Sequence, residues 1–157
     1  MFKVTTDNLN LITQFEGLTL KPVHEYIDRA GIVTIGYGTI QYPPYYMDGK
    51  VVQLSDPPIT PHQAENFIEY EMQQKCNALK ILFPIPLNNN RCDALLSLTY
   101  EIGVTAIKKS TLRQIILINP NDIRVRSEWG RWIYSDGKQV HGMALRRADE
   151  LKLWFLN

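Results

Sequence analysis

Apolar residues recur at helical spacing near the start of the chain, at Leu9, Leu11, Ile12 and Phe15. Thr6 and Asp7 precede them as candidate N-terminal caps, and Gly17 follows as a residue that can end a helix in the left-handed conformation. The pattern predicts a short helix whose last side chain is Glu16.

The spacing of the apolar residues changes after residue 18. Short β-branched and aromatic runs occupy 23–27 and 32–35, and they are separated by a turn with Asp28 at its first position and Gly31 at its fourth. This pattern predicts a small β-hairpin. Residues 39–59 then collect Tyr and Pro around a short strand of two valines, which favours an ordered surface loop.

The rest of the chain has helical periodicity. Thr60, Pro61 and Gln63 form a helix start with a capping box, and the helix is predicted to run to about Leu82. Its apolar stripe consists of Ala64, Phe67, Ile68, Met72, Cys76 and Leu79. Further helices are predicted after Asn90 up to Gly103, over 107–118, over 122–133, and from Gly142 onward.

These elements predict an α+β fold in one domain over residues 1–157, because 157 residues with 45% hydrophobic side chains can bury one substantial core. We expect a small β lobe at about 17–60 and a larger helical lobe made of 1–16 and 61–157. A cleft between two such lobes is a usual place for a ligand.

Charge changes this picture little. The net charge is +1, but residues 1–106 hold 7 Lys and Arg against 11 Asp and Glu, and residues 107–157 hold 10 against 5. The basic half suggests either an anionic partner or an ordinary solvated helical surface, and the second interpretation is favoured. We expect no nucleic-acid partner.

Cysteine and histidine usage argues against metal, redox and Ser-His-Asp chemistry. Cys76 and Cys92 form no Cys-x-x-Cys pair and are expected to be buried free thiols, and the three histidines are scattered. The first residues lack a secretory signal and no later run approaches membrane-spanning length. We therefore expect a soluble chain made in the cytoplasm.

The candidate chemistry lies in residues 16–38. Glu16 ends a helix beside Phe15 and Leu18, where the helix dipole and the apolar neighbours favour the protonated carboxyl group. Asp28 lies in a polar turn that favours the ionised form, and the Thr34 hydroxyl can donate to that carboxylate while accepting from a water. Each acid alone is typical of a solvated surface residue, but two acids beside a hydroxyl suggest chemistry that uses water.

The sequence resembles the phage-type lysozymes, glycoside hydrolase family 24. Phe-Glu-Gly-Leu-Thr-Leu-Lys at 15–21 and Asp-x-x-Gly-x-x-Thr-Ile-Gly-Tyr-Gly at 28–38 are similar to that family's catalytic segment. Residues 91–103 resemble its core helix, 107–112 the segment after it, and 142–150 its closing Gly-Leu-x-x-Arg-Arg-x-x-Glu helix. The matching segments keep the family's order over nearly the whole chain.

The resemblance implies a bilobal fold that hydrolyses the β-1,4 bond between N-acetylmuramic acid and N-acetylglucosamine in peptidoglycan. It makes Glu16 the general acid, with Asp28 and Thr34 orienting the attacking water. It also implies three substrate-binding residues: Ile40, Tyr100 and Ser110. No cofactor or metal is expected, and we expect a monomeric endolysin of host lysis that is made in the host cytoplasm, aided by a holin, and active on the periplasmic cell wall.

Three departures from the family pattern matter. The family usually places eight residues between the two acids, whereas eleven separate Glu16 from Asp28. Counting forward from Glu16 therefore selects Glu25, and counting back from Thr34 selects Asp28, which we favour. Thr39 replaces a common His, and Glu101 replaces an amide.

Two side-chain groups have both structural and substrate-binding interpretations. We expect Arg146 and Arg147 to form an ion-pair network with Asp149, Glu150 or Asp7. The three tryptophans are expected mainly in the core, with Trp132 the best candidate for stacking on a sugar.

Other functions fit the same residues. A lytic transglycosylase would need only Glu16 and would release an anhydro-sugar. A glycan-binding or phage structural module could retain the fold without catalysis, and a bacterial effector could share the chemistry.

Overall fold

A computed structural model describes residues 1–24, 31–135 and 138–156. Its helices are α1 (Thr6–Glu16), α2 (Pro61–Leu82), α3 (Asn89–Ile102), α4 (Val104–Lys109), α5 (Thr111–Ile118), α6 (Arg124–Trp129) and α7 (His141–Trp154). Two antiparallel pairs join the strands β1 (Thr19–His24) with β2 (Val33–Gly36), and β3 (Tyr134–Ser135) with β4 (Lys138–Gln139). The predicted α+β class is confirmed.

The chain folds into two compact units. One is Val4–Gln73, and the other combines Met1–Lys3 with Gln74–Asn157. The change from one unit to the other falls within α2. The division into a β lobe at 17–60 and a helical lobe stays a prediction.

A capping box starts α1. The Thr5 hydroxyl accepts from the backbone N–H of Asn8 at 3.2 Å, and the Asn8 side chain accepts from the backbone N–H of Thr5 at 2.9 Å. The prediction of Thr6 or Asp7 as the cap was wrong: Thr5 is the N-cap, because its side chain and that of Asn8 each satisfy the other's backbone N–H. The helix ends at Glu16, as predicted, and Gly17 follows with φ 67°.

The first β-pair directly follows α1. Thr19 pairs with Gly36, and Val23 with Thr34, with a register irregularity between Thr19 and Val23. The first strand begins at Thr19, four residues earlier than the predicted run. The end of that run and the turn that begins at Asp28 lie outside the described residues.

The core of the Val4–Gln73 unit forms where β2, the loop after it and α2 meet. Its buried members are Ile35, Tyr42, Val52, Ile59, Ala64 and Phe67. Gly36 is required here because its φ is +68° and a Cβ atom would lie 3.3 Å from the Cβ of Ala64. The loop was predicted as an ordered surface loop, and it also contributes buried residues to the core. Instead of the predicted short strand, its two valines form one bridge, between Val51 and Gln41.

A buried carboxylate organises the loop from within. Asp56 accepts from the Lys50 ammonium at 2.5 Å and from the backbone N–H of Gln53 at 2.8 Å. Burial alone would raise the pKa of Asp56, but these two donors outweigh it and hold the pKa below its ordinary value. Burial, and then the charge of the same carboxylate, raise the pKa of Tyr42.

The long helix α2 agrees with its prediction. Thr60 and Gln63 complete the capping box, with N···O distances of 2.8 and 3.2 Å. All six predicted stripe residues are buried. Cys76 and Cys92 are buried free thiols, and burial raises the pKa of Cys76 to about 11.

The helices of the second unit differ from prediction at Ser110. The predicted helix over 107–118 is two helices, because the Ser110 backbone is extended at ψ 148° and its hydroxyl accepts from the N–H of Arg113 at 3.0 Å. That hydrogen bond caps α5 and ends α4. The predicted helix over 122–133 is also shorter and forms α6 alone.

Glu150 is the centre of a buried network that joins three helices of this unit. Its carboxylate accepts from Ser97 on α3 at 2.6 Å and from the Trp129 indole on α6 at 2.8 Å. Arg147 and Arg146, also on α7, donate to it at 2.6 and 3.3 Å. The predicted arginine network is thus present, with Glu150 and Glu101 as its acids, whereas Asp149 pairs with Lys152.

Among the described residues, no helix combines the length and the apolar composition that crossing a membrane requires.

Replacing Glu150 tests the network. We expect Glu150→Gln to lower the free energy of unfolding by about 3–5 kcal/mol, because it removes the charge that two buried guanidinium groups require. Asp149→Asn, which removes a neighbouring solvent-accessible ion pair, should cost less than about 1 kcal/mol. Urea unfolding followed by circular dichroism measures both, and equal losses would contradict the assignment.

Replacing Asp56 tests the loop. We expect Asp56→Asn to cost about 1–2 kcal/mol at neutral pH, since a charged acceptor is lost. Because the folded-state pKa lies below the ordinary value of 3.8, the stabilisation is complete above that value and is lost as the pH falls through the lower folded value. Unfolding from pH 7 to pH 3 should show the two proteins converging, with exposed Asp48→Asn as control. A difference that is constant with pH would reject this role.

Candidate active site

Glu16 lies at the C-terminal end of α1, where it is partly exposed. Gly38 lies beside it: a Cβ atom on residue 38 would be 3.5 Å from Oε2 of Glu16. The C-terminal end of α1 places the negative end of the helix dipole at Glu16. The position thus combines a helix C-terminus with access to solvent.

Thr34 lies on β2 and is buried. After it, Ile35 and Thr39 exchange backbone hydrogen bonds of 3.0 and 2.9 Å, which close the Gly-Tyr-Gly turn. This turn carries Gly38 to the Glu16 carboxyl group. Thr39 is completely buried, and no described residue hydrogen-bonds its hydroxyl.

The predicted substrate-binding residue Ile40 follows this turn. Its side chain is 45% exposed, and its carbonyl accepts from the N–H of Val52 at 2.8 Å. Exposed Val51 is next to that partner. The backbone pairing therefore presents an apolar surface at Ile40, on a loop that Asp56 holds from inside.

Two of the predicted positions are outside the described residues: Asp28 and its competitor Glu25. Glu16, Thr34 and Ile40 belong to the Val4–Gln73 unit, and Tyr100 and Ser110 belong to the other unit. Near this first group, Gly38 of the Gly-Tyr-Gly turn lies beside the Glu16 carboxyl group.

Tyr100 is half-buried near the end of α3. The Lys75 ammonium lies 4.9 Å from the centroid of its ring, a cation–π contact that orients the ring. Gly103 ends the helix three residues later with φ 85°.

Glu101, the acid found in place of the family's amide, is directed into the buried network. It accepts from Arg147 at 2.7 Å and lies 3.5 Å from Nε of Arg146. Burial opposes the charge of Arg147, but Glu150 and Glu101 raise its pKa above the ordinary value. The extra acid is therefore neutralised by two cations.

Ser110 lines a cavity of about 300 Å³. The other lining residues are Lys109, Thr111, Leu112, Glu128, Arg131 and Trp132. The Ser110 hydroxyl donates to the carbonyl of Ile107 at 2.8 Å while it caps α5. Trp132 is half-buried, whereas Trp129 and Trp154 are fully buried in the core, as expected.

Sequence reasoning named the Gly-Tyr-Gly motif but gave Gly38 no role of its own, and it missed the contact of Lys75 with Tyr100. The signal available for Gly38 was a tyrosine flanked by two glycines after a β-branched strand. The contact between Lys75 and Tyr100 had no signal in the sequence, because the two residues lie on different helices. In the described part of the chain, no group of three His, Cys, Asp or Glu side chains could hold a metal ion.

Comparison with known proteins gives a consistent result. The family described as phage lysozyme matches residues 13–150. An endolysin of Acyrthosiphon pisum secondary endosymbiont phage 1 is 36% identical over 156 residues, which cover 96% of this chain and 97% of that protein. The endolysin of Bacillus phage PZA is 30% identical over 97% of this chain, and this chain spans 55% of its length, about half.

A solved structure shares the fold. The endolysin from Escherichia coli O157:H7 phage FAHEc1 superposes with a TM-score of 0.79 and 33% identity, covering 98% of this chain and 94% of that one. The lysozyme-like fold expected from the sequence is confirmed. With most of its residues matched by the family and by these relatives, the chain belongs to the phage lysozyme family.

Proposed function

We propose that this chain is a peptidoglycan hydrolase that cleaves the β-1,4 bond between N-acetylmuramic acid and N-acetylglucosamine, and that it acts as an endolysin in host-cell lysis. The observation that carries the proposal is the placement of Glu16. It lies partly exposed at the end of α1, within the segment that matches the family. Gly38 of the Gly-Tyr-Gly turn, in the same matching segment, lies beside its carboxyl group.

In the proposed mechanism Glu16 is the general acid. It donates its proton to the glycosidic oxygen as the bond to the anomeric carbon breaks, so that the leaving sugar keeps the electron pair and gains the proton. The negative end of α1 favours this role, because it raises the cost of ionising Glu16 before the transfer.

The attacking water supplies the new bond to the anomeric carbon. We assign Asp28 as the carboxylate that accepts the water's proton, and the Thr34 hydroxyl as the group that orients the water. In an inverting enzyme the two carboxyl groups stand roughly 6.5–9.5 Å apart to admit that water. Glu25 is the competing candidate for the second carboxylate.

The substrate contacts are proposed from the family and from local chemistry. Ile40 offers exposed apolar surface, and Tyr100 an aromatic ring held by Lys75. The Ser110 hydroxyl donates once and accepts once within the chain, so it can accept one more hydrogen bond, from a substrate N–H or O–H. Trp132, in the same cavity, is the proposed sugar-stacking side chain.

The remaining parts of the proposal concern the cellular context. We propose a single lysozyme-like domain that acts as a monomer without cofactor, is made in the host cytoplasm, and reaches the periplasmic cell wall with the help of a holin. The endolysin names of the relatives support this role.

Replacing each acid tests the mechanism. We expect Glu16→Gln to lower the rate of sacculus lysis by about 10²–10⁴-fold, because the proton donor is lost. Asp28→Asn should also be strongly impaired, whereas Glu25→Gln should keep nearly full activity. Turbidity of sacculi measures the rates, and Glu65→Gln, an exposed acid on α2, is the control. Full activity in Glu16→Gln would reject the mechanism. Loss of activity in Glu25→Gln with activity retained in Asp28→Asn would show that Glu25, and not Asp28, is the second carboxylate.

The released muropeptides test the reaction type. Hydrolysis adds one water across each cleaved bond, so mass spectrometry should show reducing N-acetylmuramic acid ends. Products lighter by one water would identify a lytic transglycosylase instead. Absence of released fragments from a folded protein would indicate a non-catalytic glycan-binding module.

A further inference from the structure

We infer that Gly38 is a positioning residue for the proposed reaction: its missing side chain keeps open the space through which a glycosidic oxygen reaches Oε2 of Glu16. The inference rests on the proposed function of Glu16 and adds a residue to that site.

The geometry around residue 38 is specific. A Cβ atom placed there would lie 3.5 Å from Oε2 of Glu16, and no other described atom beyond its chain neighbours would lie within 4 Å. Among the described residues, the group that a side chain at residue 38 would cover is therefore the Glu16 carboxyl group. At 3.5 Å a methyl group makes an ordinary van der Waals contact, so it would cover the oxygen without clashing.

Other glycines with positive φ have different neighbours. Gly36 has φ +68° and faces Ala64, so a side chain there would disturb packing. Gly103 has φ +85°, close to the +90° of Gly38, but no described atom beyond its chain neighbours lies within 4 Å of its Cβ position. A side chain would therefore impose backbone strain at both Gly38 and Gly103. Among the described residues, it would contact Glu16 from position 38 and not from position 103.

Proton transfer needs that open space. A glycosidic oxygen must come within about 2.6–3.2 Å of the donor oxygen, and a methyl group in contact with the same oxygen occupies part of this approach. The methyl group would also remove water from the carboxyl group, which disfavours its ionised form.

The test compares Gly38→Ala with Gly103→Ala. Both should lose a similar amount of thermal stability, because both force alanine into positive φ. We expect kcat on a soluble peptidoglycan oligosaccharide to fall at least about tenfold further in Gly38→Ala than in Gly103→Ala, with a smaller change in KM. Equal kcat values in the two variants would overturn the inference.

A pH profile separates positioning from general damage. The alkaline limb of the rate profile should move to higher pH in Gly38→Ala, because a desolvated carboxyl group keeps its proton longer. It should move to lower pH in Gly38→Asn, whose amide can donate a hydrogen bond to the carboxylate. Asn also tolerates positive φ better, so it carries the test if the alanine variant does not fold. An alkaline limb that stays at the wild-type pH in Gly38→Asn would overturn the inference.

A measurement without substrate completes the test. The ¹³C NMR titration of the Glu16 carboxyl group should shift in the same directions in the two Gly38 variants and stay unchanged in Gly103→Ala. An active Glu16→Gln enzyme would overturn the proposed function and this inference with it. An inactive Glu16→Gln enzyme, combined with Gly38→Ala that matches Gly103→Ala in kcat and titration, would overturn this inference alone.

Discussion

The carboxylate of Glu150 is the interaction on which the second unit depends. It is completely buried, and it receives hydrogen bonds from α3, α6 and α7. Such a charge is tolerated in a core only when its partners surround it, so the helices that carry those partners must keep their positions. The Trp129 and Trp154 rings, 5.2 Å apart, pack where this network fixes α6 and α7. Hydrophobic burial stabilises the packing of these helices, and the network selects one arrangement of them.

The small unit is held by a different constraint, the backbone conformation around β2. Positive φ at Gly36 and Gly38 lets the chain turn immediately after the strand, and Ile35 and Thr39 close that turn. Gly36 meets Ala64 and so ties the turn to α2. The two glycines thus serve different purposes: one fits the turn to the core, and the other brings the backbone to Glu16.

The predictable parts of this fold are those whose signals are local. Thr60, Pro61 and Gln63 specify the start of α2 within four residues, and the stripe that follows repeats every three or four residues. The break at Ser110 was not predicted. A serine can continue a helix or cap the following helix, and the choice depends on which backbone group its hydroxyl bonds. The partner of Glu101 was also beyond local reasoning, since Arg147 lies 46 residues away. For the candidate site, the motif predicted Glu16, whereas the proximity of Gly38 to Glu16 spans 22 residues of sequence and has no local signal.

The same pairing explains the uneven charge of the sequence. Ten cations against five acids after residue 106 suggested either a basic surface or an ordinary solvated one. Arg146 and Arg147 form ion pairs inside the unit with Glu150 and Glu101. Glu101 comes from the part of the chain before residue 107. Local acids also pair with three further cations: Arg124, Arg131 and Lys152. Five of the ten cations after residue 106 are therefore involved in holding helices together or in surface pairs. This favours the solvated interpretation, and it shows that an acid in an unusual family position can compensate a buried cation without adding charge to the surface.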